Sequence, residues 1–127
     1  MKSPTTANNR GLALIESYPF TQVKEKLLMG GKVAPELVDG AISEFRKYLS
    51  LIALGHKGVG MNSRDVDEVW HIFILFTKDY ARFCDEVFGF FLHHQPSIPS
   101  QPLDPAARRR FVEAYRGEFG ELPAIWV

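Results

Sequence analysis

The chain has 127 residues, 46% of them hydrophobic, and its 15 lysines and arginines balance 15 aspartates and glutamates. This length is typical of one globular domain that buries a core without disulfides or metals, and the apolar content excludes a disordered chain. A neutral chain also lacks the basic surface that nucleic-acid binding requires. We therefore expect no nucleic-acid partner.

The cysteine content and the first residues bear on the compartment. Cys84 is the one cysteine, so an internal disulfide framework is excluded and a reducing compartment is favoured. The stretch MKSPTTANNRG has no apolar segment of the kind that a signal peptide needs. No run approaches the roughly 18 to 20 apolar residues of a membrane span. The sequence predicts a cytoplasmic protein without a membrane partner.

The first half of the chain is predicted to contain a tail and three helical segments. Residues 1–10 are polar, and we expect a flexible tail there, followed by a single helical domain over residues 11–127. Two short helical segments come first, and Gly30-Gly31 ends the second of them. A longer helix begins near Pro35, and its apolar residues form one face: Val38, Ala41, Ile42, Phe45, Tyr48, Leu49 and Ile52.

The second half is predicted to hold the remaining helices. Ser63 is a candidate N-cap for a helix that runs towards Phe76, and Thr77 can cap another that ends at Gly89. The stretch FFLHHQPSIPSQPLDP is rich in proline and predicts an extended loop, after which Asp104-Pro105 begins the last helix. No stretch alternates as a strand does. The fold prediction is all-α, a compact single-domain bundle of five to six helices with a Pro-rich loop before the last helix.

The segment DVDEVWHIFILF, residues 65–76, places acidic residues and a histidine among large apolar side chains. At about 100° per residue its main apolar face centres on Trp70, while Asp67 and His71, four residues apart, share the neighbouring flank. From Trp70 onward the segment is apolar almost all round. This pattern is typical of a helix that lies at the centre of the fold or is covered by a partner.

The longer stretch VDEVWHIFILFTKDYARFCDEVFGFFLHHQP resembles a family of uncharacterised bacterial proteins related to the N-terminal domain of plant glycine-rich-domain proteins. The residues that carry the resemblance are Asp67, Trp70-His71, Tyr80, Cys84, Gly89 and His93-His94. The resemblance implies a helical fold and brings no reaction with it.

The same residues permit a metal site. Asp67, His71 and Cys84, with His93 or His94, are side chains that bind zinc or iron. If residues 63–88 were one continuous helix, His71 and Cys84 would lie roughly 20 Å apart at 1.5 Å per residue and could not share an ion. A bend near Phe76 would bring them together, and the sequence leaves open whether this stretch is one helix or two.

A purely structural role for these residues is favoured over the metal site. In that interpretation Trp70 fills the core, His71 hydrogen-bonds to Asp67 or to a backbone carbonyl, and Cys84 is a small buried apolar residue. A nucleophilic pair of Cys84 with a histidine is the least favoured alternative, because no residue that would orient the pair is evident.

The leading hypothesis for function is a non-catalytic protein–protein interaction module without a cofactor. The 10 Phe, 4 Tyr and 2 Trp residues exceed what short helices readily bury, and aromatic side chains anchor protein interfaces. We expect a small bacterial regulator that binds or sequesters another protein and forms a homodimer. The alternative is a metal-binding domain or metal-dependent enzyme with zinc or iron. The predicted interaction surface consists of Ile72, Leu75, Phe88, Phe90, Phe91 and Leu92.

Overall fold

The computed structural model describes residues 5–127, and the side chains of residues 9–127; residues 1–4 of the predicted tail lie outside the described part. Two short 3-10 helices, Pro35–Leu37 and Ala124–Trp126, accompany the α-helices. Over the described residues no strand is present beyond an isolated bridge between Ile98 and Gln101. Residues 5–127 form six α-helices: α1 (Thr5–Ser17), α2 (Thr21–Gly30), α3 (Val38–Ala53), α4 (Arg64–Leu75), α5 (Thr77–Phe88) and α6 (Pro105–Phe119). This confirms the all-α single-domain prediction.

Helix α1 begins at Thr5, six residues before the start expected from the polar sequence. Its packing explains the difference, because α1 is already docked at Gly11, where a Cβ atom would lie 2.9 Å from the carbonyl oxygen of Val87 in α5. Once this turn is fixed, each further residue adds a backbone hydrogen bond at little entropic cost. The helix therefore extends through polar residues such as Asn9 and Arg10, which are exposed.

The other helix ends follow local signals in the sequence. Ser63 Oγ accepts a hydrogen bond from the Val66 backbone N–H at 3.2 Å, and Asp104 Oδ1 accepts one from Ala106 at 3.0 Å, as expected of N-caps. Gly89 ends α5 in the left-handed conformation, with φ of 78°. These boundaries are confirmed.

Residues 63–88 form two helices, which bend at Phe76. The backbone of Phe76 has φ −85° and ψ 70°, outside the helical region, and so separates α4 from α5. Phe76 is itself the N-cap residue of α5, and no side chain caps this helix. The proposed cap at Thr77 is therefore wrong by one residue. The bend returns α5 against α4, and this places Tyr80 beside Trp70.

Helix α4 lies at the centre of the fold, with α2, α3 and α5 packed against it. Trp70 is 4% exposed, which confirms its predicted place in the core. Ile72 is also buried, at 9%, so its prediction as part of an exposed interaction surface is wrong. The physical reason is that three helices, α2, α3 and α5, pack against α4. Most of the large apolar side chains of α4 are therefore buried within the domain, with Leu75 as the exposed exception.

Two polar side chains on α3 tie the chain ends to the bundle. Arg46 donates hydrogen bonds to the carbonyls of Ile15 (2.6 Å) and Glu16 (3.2 Å) at the end of α1. Glu44, only 7% exposed, accepts from the Tyr115 hydroxyl (2.6 Å) and the Trp126 indole N–H (2.8 Å). Trp126 is thereby fixed in the core, where it is 1% exposed. None of the helices in residues 5–127 is both long and apolar enough to cross a membrane.

Candidate functional site

A buried hydrogen-bond chain joins α4, α5 and the loop that follows them. The Trp70 indole N–H donates to the Tyr80 hydroxyl at 3.0 Å, and the Tyr80 hydroxyl donates to the backbone carbonyl of Leu92. Burial raises the pKa of Tyr80 above its ordinary value, so the hydroxyl stays protonated and available as a donor at neutral pH. The α5–α6 loop, residues 89–104, is thus attached to the core at Leu92.

Two residues beyond that attachment, His94 lies flat on Trp70. The two rings stack with centroids 4.0 Å apart and an angle of 6° between their planes. His94 Nε2 also lies 2.6 Å from Asp67 Oδ1. The contact is close but is not aligned as a hydrogen bond, and within the described residues the buried Asp67 Oδ1 has no hydrogen-bond partner. One carboxylate oxygen of Asp67 is therefore left without a directed donor.

A cleft opens beside this stack, between the α5–α6 loop and the α3–α4 loop of residues 54–63. It has two lobes of about 390 Å³ each, which share Tyr48, Val59, Trp70 and His93. The polar lobe is lined by Asp67, His94, Gln95, Ser97 and Arg110, among others. The apolar lobe is lined by Ile52, Phe90 and Leu92 together with the shared aromatic residues.

The structure brings together only two of the five predicted metal ligands, Asp67 and His94. His71 points away: it is exposed, and its Nδ1 lies 3.6 Å from Glu68 Oε1, so the predicted contact with Asp67 is wrong. His93 is exposed, and its ring lies against Phe91. Over residues 5–127 no group of three or more His, Cys, Asp or Glu side chains is arranged to hold a metal ion. The proposed metal cluster is not formed.

The fifth candidate, Cys84, lies in the core at 1% exposure. Burial is the main cause that raises the pKa of its thiol, and hydrogen bonding with the Leu92 backbone and the Tyr80 hydroxyl opposes this only in part. A buried thiol with a raised pKa is neither accessible nor ionised at neutral pH. Cys84 therefore has the properties of a core residue, not of a nucleophile.

The remaining predicted surface residues fall into two places. Leu75 ends α4 and is 53% exposed. The others lie at the last residue of α5 and in the four residues that follow it, where Phe90 and Phe91 are 55% and 46% exposed. Phe90 stacks on Phe88 at 5.5 Å between centroids, and Phe91 contacts Tyr80 edge to face at 5.3 Å. We call this group the Phe90–Phe91 surface; its members are Phe88, Phe90, Phe91 and Leu92.

A comparison with protein families adds one finding. A family model described as UCP032817-like matches residues 10–114, from α1 into α6. That range contains the Trp70–Tyr80–Leu92 chain, the cleft and the Phe90–Phe91 surface. Neither the search of curated proteins nor the search of solved structures found a match.

Proposed function

We propose that this chain, which belongs to the UCP032817-like family, is a protein-binding module that acts through the Phe90–Phe91 surface. The observation that carries the proposal is a pair of adjacent, half-exposed phenylalanines, at 55% and 46%, on backbone attached to the core. Fully burying a phenylalanine is worth about 1.5 to 3 kcal/mol. A partner that covered both rings would gain a large part of that energy.

The contacts that Tyr80 makes with the Phe90–Phe91 surface favour the binding of a partner there. Tyr80 contacts Phe91 and holds the next residue, Leu92, through its hydroxyl. Because the rings are held in place before binding, a partner does not have to order them, and little conformational entropy is lost. Rigid aromatic anchors of this kind are typical interface hot spots.

Binding is also favoured over catalysis by the state of the chain's single cysteine. Cys84 is buried and its pKa is raised, so no activated thiol supports a nucleophilic mechanism. A non-catalytic regulator in a reducing compartment such as the cytoplasm fits these properties. The proposal includes a kinship with the N-terminal domain of plant glycine-rich-domain proteins, which rests on the pattern from Asp67 to His94.

A second copy of the chain is the proposed occupant of the surface. Two-fold self-association is the commonest way for a small protein to cover an apolar patch. The formal net charge is +0 at pH 7, so two copies do not repel each other strongly. A different protein that used the same residues would compete with the dimer, and this competition would make the chain a sequestering regulator.

Light scattering over a dilution series tests the proposal. We expect a mass that approaches twice that of the chain at high concentration, and a monomer for Phe91→Glu at every concentration. Met29→Glu is the matched control, because Met29 is an apolar residue of α2 with 79% exposure, and it should associate as the wild type does. A wild-type chain that is monomeric throughout, or a Phe91→Glu variant that associates normally, would contradict the proposal.

A further inference from the structure

We infer that the cleft beside Trp70 is a separate binding site for a protonated amine carried on an apolar body, such as a hydrophobic amine or the N-terminus of a peptide that begins with an apolar residue. The polar lobe takes the ammonium group at Asp67. The apolar lobe takes the hydrophobic group against Tyr48, Ile52 and Leu92. This inference goes beyond protein binding by the Phe90–Phe91 surface, with which the apolar lobe shares Phe90 and Leu92 but not Phe91.

The charges around the cleft favour a cation at Asp67. Among residues 5–127, Asp67 is the one carboxylate in the lining of either lobe. Its carboxylate is 44% exposed, and its contact within the described residues is an imidazole, not a lysine or arginine. Within the described residues Oδ1 is buried without a directed donor, so a ligand reaches the carboxylate through its other oxygen, Oδ2. An ammonium group at Oδ2 supplies a positive charge and hydrogen-bond donors to the carboxylate.

The arginine and histidine side chains that border the cleft away from Asp67 are engaged with other partners, and the lysine is exposed to solvent. Arg110 Nε donates to the Gly58 carbonyl at 2.8 Å, and its terminal nitrogen lies 3.9 Å from Asp104. His56 is paired with Glu118 at 2.8 Å. Lys57 is exposed, and a long flexible ammonium side chain keeps its charge in water. None of these groups neutralises Asp67, and none occupies the polar lobe as its ion-pair partner.

The shape of the cleft favours an amphipathic ligand. Tyr48 uses its hydroxyl to donate to the Val59 carbonyl at 2.8 Å, so it offers the ligand its ring. Asp67 lines the polar lobe, and Tyr48 and Trp70 line both lobes, so the carboxylate and the apolar lobe are joined through these two rings. A volume of about 390 Å³ per lobe lies within the range of about 300 to 1,000 Å³ of small-molecule sites.

Nuclear magnetic resonance can test the inference, because the chain has two tryptophans with separate indole N–H signals. Trp70 lines both lobes, whereas Trp126 is buried against Glu44 and serves as an internal control. The probe is leucinamide at about pH 6.5, where an α-amino group is protonated. We expect a saturable shift of the Trp70 signal and none of the Trp126 signal. N-acetyl-leucinamide, which keeps the apolar group and lacks the charge, should cause no shift.

Variants complete the test. Asp67→Asn should weaken leucinamide binding at least tenfold, whereas Asp65→Asn, which lies two residues earlier in the same first turn of α4 and does not line the cleft, should not change it. A peptide with an N-terminal leucine that binds more tightly than leucinamide would identify a chain terminus as the source of the amine, and equal or weaker binding a free amine. The Phe91→Glu variant should bind leucinamide normally, so failure of the binding-module proposal is distinguishable from failure here. Absence of a saturable shift, or equal shifts with the acetylated probe, would overturn the inference.

Discussion

Replacing Tyr80 by phenylalanine tests the connection between the core and the α5–α6 loop. The substitution keeps the ring and removes one oxygen, which accepts from the Trp70 indole N–H and donates to the Leu92 carbonyl. The indole loses its partner at a site where Trp70 is 4% exposed, at a cost of about 1 to 3 kcal/mol for an unsatisfied buried group. Leu92 is only partly buried, so its carbonyl contributes about 1 kcal/mol.

We therefore expect Tyr80→Phe to lower the free energy of unfolding by about 2 to 4 kcal/mol. For a domain of this size each kcal/mol lowers Tm by roughly 3 to 5 °C, so the shift is on the order of 10 °C. Thermal melts measure it, and hydrogen exchange should show faster opening around Leu92. Tyr18→Phe is the matched control, since the Tyr18 hydroxyl makes no hydrogen bond within residues 9–127 while its ring packs against Phe20. Equal melting of the Tyr80 variant and the wild type would refute the reasoning.

Two further predictions concern Glu44 and pH. Glu44→Leu leaves the Tyr115 hydroxyl and the Trp126 indole N–H without their acceptor, and chemical denaturation should show a loss of about 3 to 6 kcal/mol in the free energy of unfolding. Glu44→Gln keeps one acceptor oxygen and should lose less than half of that. Equal losses in the two variants would contradict the assigned role of the Glu44 carboxylate as the shared acceptor. Burial raises the pKa of Tyr48 and Tyr80 in the folded chain, so their contribution to stability is complete below about pH 10 and is lost as the pH rises above it. Thermal melts from about pH 8 to 11.5 should show that, above about pH 10, the free energy of unfolding falls by about 1.4 kcal/mol per pH unit for each of these two residues. If tyrosinate absorbance rose while the chain was still folded, the two hydroxyls would ionise in the folded state and the prediction would be contradicted.

The sequence predicted those features of the fold that depend on neighbours in the chain. Ser63 and Asp104 begin α4 and α6 as N-caps, and Gly89 ends α5, as expected. These signals are readable because an N-cap or a left-handed glycine acts within one helical turn. The burial of Trp70 followed from helical spacing. The burial of Ile72 was harder to predict, because spacing gives the face of α4 on which it lies but not that other helices pack around α4.

The candidate site could not be predicted because its contacts are made by distant segments. Helical geometry places both Asp67 and Glu68 within contact distance of His71, and in the structure His71 contacts Glu68. Asp67 is contacted instead by His94 of the α5–α6 loop. Which of the two adjacent histidines points inward is set by the attachment of Leu92 to Tyr80. The buried position of Glu44 could not be predicted from the sequence, because the role of its carboxylate as an acceptor depends on Trp126, near the other end of the chain.

The central claim is that Phe91 lies in an interface between two copies of the chain, and site-specific crosslinking tests it most directly. A photoreactive phenylalanine analogue at position 91 should, on irradiation, produce a covalent dimer whose attachment maps to the Phe90–Phe91 surface of the second copy, as a two-fold interface requires. The same analogue at position 29, which is 79% exposed, should produce none. Dimer formation from position 29 alone, or attachment from position 91 to residues far from this surface, would contradict the claim.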